Sequence, residues 1–345
     1  MPDSIFNYPE IFLTLVMQMK LVIAIHHHFQ LWIPPKWFAE RLRHDFPQLN
    51  VVQLDGYGGL KSEIVDADLM IAFSMRAEQF KTARRLKWIH STAAAVHALL
   101  LPELVASDVV VTNARDVHGP AVAEHAMGLV WAVGRQLHRV RDFQRKHVWA
   151  QELMWNEVPH PREMRGATLL VVGFGAIGRP LAQMAHAAGM RVIAVREHPE
   201  RPSEPAQQVF GFDELDEALP LADFVVMAAP VTEKTTGLFN EERLRKMKRG
   251  ACLFNVGRGI QLDSAALVRV IGDGHLAGAG LDVVEHEPLP PDSPLWDVPE
   301  ILISPHVAGF DDLIWERQYE LYSENLRRYV AGEPLLGMVD KGKGY

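Results

Sequence analysis

The chain has 345 residues, which at about 150 residues per domain suggests two domains, each large enough to fold without staples. Hydrophobic residues make up 48% and charged residues 23%, so disordered, collagen-like and low-complexity classes are excluded. The formal net charge of −8, with no basic run, argues against a nucleic-acid partner.

The first apolar run, Ile11–Met17, is broken by Thr14 and too short to span a membrane. No Lys or Arg precedes it as a secretory signal would require, so no membrane partner is expected. Residues 1–18 are expected to extend outside the core, because the first convincing strand follows Met19-Lys20. Strands are predicted at Leu21–Ile25, Val51–Leu54, Leu69–Phe73, Lys87–His90 and Val109–Thr112. They are short and mostly apolar, as parallel strands covered on both faces should be. Helices are predicted between them at Pro35–Phe46, Ala77–Leu86 and Ala94–Leu104, so this part reads as a doubly wound α/β unit. His26-His27-His28 has no acid or cysteine at ligand spacing, so it reads as a cleft-lining loop and no metal is expected.

A long helical stretch is predicted from about Pro120 to Trp149, with Val122, Ala126, Leu129, Val130, Val133, Leu137 and Val140 along one face. Trp131, His138 and Trp149 read as packing or subunit contacts, and Gln151–Arg165, with Pro159 and Pro161, as a connector. A second α/β series follows. Its strands are Thr168–Val172, Arg191–Val195, Gln208–Phe210, Phe224–Met227, Ala251–Asn255, Gly278–Val283 and Ile301–Ile303, and a last helix is predicted at Trp315–Ala331.

Within this series, Val171-Val172-Gly173-Phe174-Gly175-Ala176-Ile177-Gly178 places G-x-G-x-x-G between an apolar strand and a helix, Arg179–Ala188. Gly173 permits the tight turn, Gly175 lets the backbone approach a pyrophosphate, and Gly178 lets the helix pack close to the strand. The helix N-terminus offers N–H groups and partial positive charge to the phosphates. The next strand ends at Arg196-Glu197, where an NAD site usually has an acid for the ribose 2′-hydroxyl. Arg196, with Arg201 as a second cation, would suit the 2′-phosphate of NADP. The alternative is NAD, with Glu197 on the ribose. The single cysteine, Cys252, rules out an intrachain disulfide or a Cys-rich metal site and reads as an inert core residue. It fits a reducing cytoplasm.

Three further segments follow in order: Phe254-Asn255-Val256-Gly257-Arg258-Gly259, Gly280-Leu281-Asp282-Val283-Val284-Glu285-His286-Glu287-Pro288 and Ser304-Pro305-His306-Val307-Ala308-Gly309. With the glycine loop, Leu86-Lys87-Trp88-Ile89-His90-Ser91, Thr112-Asn113-Ala114, Ala123-Glu124-His125 and the closing Val339-Asp340…Gly344-Tyr345, the chain resembles the D-isomer-specific 2-hydroxyacid dehydrogenases from about Leu21 onward. Within that family it looks like the short, glyoxylate/hydroxypyruvate reductase-like form without a regulatory domain.

The resemblance implies two doubly wound parallel-sheet domains with an interdomain cleft. A Rossmann cofactor domain would span 119–307, and a flavodoxin-like, discontinuous substrate domain 1–118 and 308–345. It implies an NAD(P)-dependent reductase of small 2-keto acids, assembled as a homodimer through the long helical stretch. Arg258 would grip the substrate carboxylate and carbonyl, His306 would be the general acid, and Glu287 would orient the imidazole and favour its protonated form. The chemistry wants the same types: a donor titrating near neutrality for the developing alkoxide, a carboxylate beside it, and a planar guanidinium for two-point recognition. Ala176, Ile177, Pro230, Val256, Gly257, Asp282, His306 and Ala308 would join the three glycines along the cofactor. The turn Ser91–Val96 would bind the carboxylate through backbone N–H groups at Ala94 and Ala95, although the family usually has glycines there. Arg76 would lie near the substrate. A dinucleotide-sensing corepressor of the same fold is the competing reading.

Overall fold

Leu21, Val22, Ile23 and Ala24 are all buried, yet they belong to two different cores. Leu21 and Ile23 pack on one face of their sheet and Val22 and Ala24 on the other. A strand alternates its side chains, so only a sheet covered on both faces accepts such an unbroken apolar run. Leu169–Val172 repeats the pattern in a second sheet.

The computed structural model describes residues 19–27, 29–156 and 159–344. The expected extension at 1–18, together with His28 and Tyr345, lies outside them. The first sheet contains β1 (Lys20–Ala24), β2 (Asn50–Gln53), β3 (Leu69–Ala72), β4 (Trp88–Ser91) and β5 (Val110–Asn113), in the order β2-β1-β3-β4-β5. The second contains β6 (Thr168–Val172), β7 (Arg191–Val195), β8 (Gln208–Phe210), β9 (Phe224–Met227), β10 (Cys252–Asn255), β11 (Gly278–Leu281) and β12 (Ile301–Ile303), in the order β12-β11-β10-β9-β6-β7-β8. All pairings between these strands are parallel. The chain divides into two compact units: Gly119–Phe310 forms one, and the chain before it joins Asp311–Tyr345 in the other.

In the first unit, the helix Ile314–Ala331 covers one sheet face with Tyr319, Tyr322 and Leu326. Tyr322 stacks on Trp88 with centroids 5.1 Å apart. The helix expected over Ala94–Leu104 is absent; a short helix, Pro102–Val105, begins only after the turn. Pro102 favours extended backbone at Leu101, which has ψ 149°, and Ala94 O at the start of the segment is taken by Asn113 Nδ2 at 2.8 Å. The helix expected over Ala77–Leu86 ends at Phe80, beyond which the Thr82 hydroxyl donates to Gln79 O at 2.7 Å.

In the second unit, the stretch expected as one long helix is two, Gly119–Gly134 and Leu137–Arg145. The break falls at Gln136, whose φ of 53° is left-handed. Gly134 closes the first helix where a β-carbon would come 2.5 Å from Met164 Cε. The expected connector contains a short helix, Gln151–Asn156. Among the described residues, no helix is long and apolar enough to cross a membrane.

Candidate active site

Gly173 follows β6 at φ 99°, and a β-carbon there would lie 2.5 Å from Ala229 N. At Gly178, which opens the helix Gly178–Ala187, a β-carbon would lie 2.0 Å from Gly173 O. Both positions therefore require glycine for close backbone approach. Gly175 differs: open space lies where its side chain would point. A tight loop, a helix N-terminus and an uncovered glycine together fit a dinucleotide pyrophosphate. Ala176 and Ile177 complete this loop, and Ala176 O approaches Gly119 so closely that a β-carbon there would sit 2.5 Å away.

Arg196 follows β7. Its Nη1 donates to Ser203 Oγ at 3.0 Å and to Pro202 O at 3.2 Å. Burial, then the neighbouring cations Arg179 and Arg201, push its guanidinium below its ordinary pKa. Three arginines in one neighbourhood, with Glu200 as the only acid among the influences on Arg196, leave positive charge for an anion.

The three residues expected to do chemistry come from three loops of this unit. Ser304-Pro305-His306 follows β12, and His306 takes φ 55°. Its Nδ1 lies 2.6 Å from Glu287 Oε2, while Glu287 Oε1 accepts the N–H of Val284 at 3.2 Å. Arg258 is exposed after β10, with Nη1 donating to Gly257 O at 2.7 Å. A β-carbon on Gly259 would overlap Val284, so the Arg258 segment lies directly on the loop leading to Glu287.

Asp282 is buried and accepts the Ser304 hydroxyl at 2.6 Å and the N–H groups of Val307 and Ala308 at 3.0 and 3.1 Å. Asp282 O takes the His306 N–H at 2.8 Å. One residue thus holds the backbone on both sides of His306. His125 Nε2 adds a contact to Ser304 Oγ at 2.8 Å. Because Ser304 donates its single proton to Asp282, His125 donates to Ser304, the reverse of what nucleophile activation requires.

Sequence reasoning assigned no role to Asn255 or Gln261, both fully buried. Asn255 Oδ1 accepts the Gly257 N–H at 3.0 Å and its Nδ2 donates to Arg258 O at 3.0 Å. Gln261 Oε1 accepts the Arg258 N–H at 2.9 Å, and its Nε2 donates to Ala229 O and Pro230 O at 3.2 and 3.3 Å. Val256 N–H meets Met227 O at 3.1 Å. Two amide side chains therefore set the path of the Val256–Arg258 loop. The only signal for them was two polar residues flanking a Gly-Arg-Gly step.

The other unit carries the expected substrate turn. None of Ala93, Ala94 and Ala95 takes a positive φ, so the turn does not need the glycines it lacks. Among the described residues, the N–H groups of Ala94 and Ala95 make no hydrogen bond within the chain. Arg76 caps the helix Ala77–Phe80 through its backbone and points its guanidinium toward Glu78 at 4.0 Å. No group of three His, Cys, Asp or Glu placed to hold a metal occurs among the described residues.

Residues 127–308 match the family model for the D-isomer specific 2-hydroxyacid dehydrogenase NAD binding domain. A glyoxylate reductase of Thermococcus kodakarensis is 30% identical over 340 residues, covering 96% of each chain. The crystal structure of a D-isomer specific 2-hydroxyacid dehydrogenase from Xanthobacter autotrophicus Py2, in complex with NADPH and MES, aligns with a TM-score of 0.79 at 30% identity. That alignment covers 95% of this chain and 100% of the other. An NADPH-dependent glyoxylate/hydroxypyruvate reductase from Sinorhizobium meliloti, in complex with NADP and sulfate, aligns with a TM-score of 0.76 at 26% identity, covering 95% and 100%. These relatives are named as enzymes and lend no support to a corepressor.

Proposed function

The chain belongs to the D-isomer-specific 2-hydroxyacid dehydrogenase family, and on that footing we propose that it is an NADPH-preferring reductase of small 2-keto acids such as glyoxylate and hydroxypyruvate. The observation that carries the reading is the His306–Glu287 pair, 2.6 Å apart in a loop anchored by Asp282. Bound dihydronicotinamide would supply the hydride to the carbonyl carbon. His306 Nδ1 is engaged by Glu287, so Nε2 is the atom free to give its proton to the carbonyl oxygen. Arg258 suits the carboxylate and carbonyl of a keto acid by its planar fork, and in the other unit the N–H groups of Ala94 and Ala95 suit a carboxylate.

Gly173, Gly175 and Gly178 seat the dinucleotide, with Ala176, Ile177, Pro230, Val256, Gly257, Asp282 and Ala308 along its length. Residues 119–310 thus form the cofactor domain, and the other unit presents the substrate turn. Arg196, Arg179 and Arg201 favour the extra phosphate of NADP, the form named in two structural relatives. The partner is a second copy of the chain, through the apolar surface of 131–155, and the enzyme works in the cytoplasm. A panel of keto acids with NADPH and NADH, followed at the nicotinamide absorbance, tests the activity. Turnover with glyoxylate or hydroxypyruvate and NADPH is expected; no turnover with any small keto acid would overturn it.

A further inference from the structure

A turn without glycine takes its shape from what its carbonyls bond to. In the 91–96 turn, Ala94 O accepts Asn113 Nδ2 at 2.8 Å and Ala93 O accepts the Ala114 N–H at 3.3 Å. Thr92 O accepts Gln318 Nε2 at 2.7 Å. Gln318 belongs to the helix Ile314–Ala331 and is 2% exposed. Its Oε1 is buried and, among the described residues, has no hydrogen-bond partner other than the His90 ring.

Beside that amide lies the ring of His90, on β4, whose Nε2 is likewise buried with no other partner among the described residues. Its Nδ1 is 2.8 Å from Thr112 Oγ1, on the residue paired with it across β4 and β5. Thr112 Oγ1 in turn accepts the indole N–H of Trp88 at 2.9 Å.

The protons can be assigned by counting. Trp88 Nε1 only donates, so Thr112 Oγ1 accepts there. The Thr112 hydroxyl has one proton of its own, and His90 Nδ1 is the acceptor within reach. Complete burial pushes the His90 pKa down to about 4, so the ring is neutral, and a ring with a bare Nδ1 carries its proton on Nε2. Gln318 Oε1 is the acceptor left for that proton. The opposite tautomer would set two lone pairs against each other at Nε2 and Oε1 and strand the Thr112 proton in a buried site.

We propose that Trp88, Thr112, His90 and Gln318 form a one-way hydrogen-bond relay that fixes the Thr92 carbonyl and thereby sets the Ala94 and Ala95 N–H groups for a carboxylate. His90 and Gln318 are positioning residues, reaching the substrate only through the turn. The inference rests on the reading of this turn as the carboxylate receptor.

Two measurements on the full-length enzyme test the relay and its consequence separately. Heteronuclear NMR with isotopically labelled histidine, with the His90 signal assigned by its loss in His90→Gln, should show the proton on Nε2 and a bare Nδ1. A proton on Nδ1 overturns the relay whatever the substrate. In steady-state kinetics with NADPH and glyoxylate, Gln318→Met keeps the side-chain volume but removes the amide. It should raise KM for the keto acid about 3- to 10-fold, the size of one neutral hydrogen bond, with kcat and the Kd for NADPH within about 2-fold. Thr112→Val should do the same, and Thr112→Ser, which keeps the hydroxyl, should restore the wild-type KM. An unchanged KM in both Gln318→Met and Thr112→Val overturns the positioning role, as does equal loss of kcat and cofactor affinity. If Gln318→Met does not fold, the Thr112 pair decides the kinetic arm alone. Absence of turnover in the wild type would defeat the carboxylate reading, and the NMR result would still decide the relay.

Discussion

His306 has a left-handed backbone at φ 55°, which costs a side-chain-bearing residue about 1–2 kcal/mol. Asp282 offsets that cost by accepting the N–H groups of His306, Val307 and Ala308. Such anchoring makes sense if the imidazole must meet a substrate at a fixed place. His306→Ala should therefore lower kcat by about 10²- to 10⁴-fold or more, the usual worth of general acid catalysis, while NADPH affinity changes little. Near-normal turnover in that variant would mean another donor. Arg196→Asp should swing preference from NADPH toward NADH by about 1.5–3 kcal/mol, because it replaces a phosphate partner with a repelling carboxylate. A wild type that already favours NADH would sink that reading. His90 makes a prediction for stability. Its folded pKa of about 4 lies below the unfolded value, so the unfolded chain binds more protons between the two. Stability should rise with pH across about 4 to 6.5, by about 3 kcal/mol at most, and fall as pH drops back through that window. The half-buried His138, shifted in the same direction mainly by burial, adds to this slope. Melting curves at several pH values should show a shallower acid slope in His90→Gln; an unchanged slope would mean that other groups carry it.

At the scale of elements, what was legible in sequence was local. The strand, glycine loop and helix at 168–187 could be read directly, because Gly173 and Gly178 answer requirements met within a few residues or by the adjoining β9 loop. The expected helix over 94–104 failed because Pro102 keeps Leu101 extended and Ala94 O is taken by Asn113 on β5, a partner that lies outside the segment. The expected long helix failed for a different reason. Leu137 and Val140 continue the apolar period past Gln136, yet they are 53% and 46% exposed, so the pattern reported apolar surface and not continuity. Asn255 and Gln261 were invisible as site residues because their meaning lies in which backbone groups they meet. Gly178→Ala tests the element most securely read. Its new β-carbon would lie 2.0 Å from Gly173 O, so the backbone must shift and the helix N-terminus must move off the loop. Binding of NADPH, measured by fluorescence or calorimetry, should weaken at least about 10-fold, since one displaced charged hydrogen bond already costs that much. Wild-type affinity in a folded Gly178→Ala protein would show that the close approach is dispensable.

Across the whole molecule, two parallel sheets bury their apolar strands on both faces, and one stretch carries several of the large apolar side chains left outside. Trp131, Leu137, Val140, Trp149, Leu153 and Trp155 are all exposed, Trp149 at 91%. They lie on or between the helices Gly119–Gly134, Leu137–Arg145 and Gln151–Asn156. A single exposed leucine needs no explanation, but a run of tryptophan, leucine and valine within 25 residues does. Covering a fully exposed side chain of this kind contributes about 1.5–3 kcal/mol, and less where half of it is already buried, so six of them on a self-complementary surface favour pairing of two copies. Light scattering should therefore give twice the chain mass. Trp149→Glu combined with Leu137→Glu should shift the protein toward the monomer, because a carboxylate buried without a partner opposes the same burial. A wild type that scatters as a monomer would leave this surface to another role, and a double variant that stays dimeric would move the interface elsewhere.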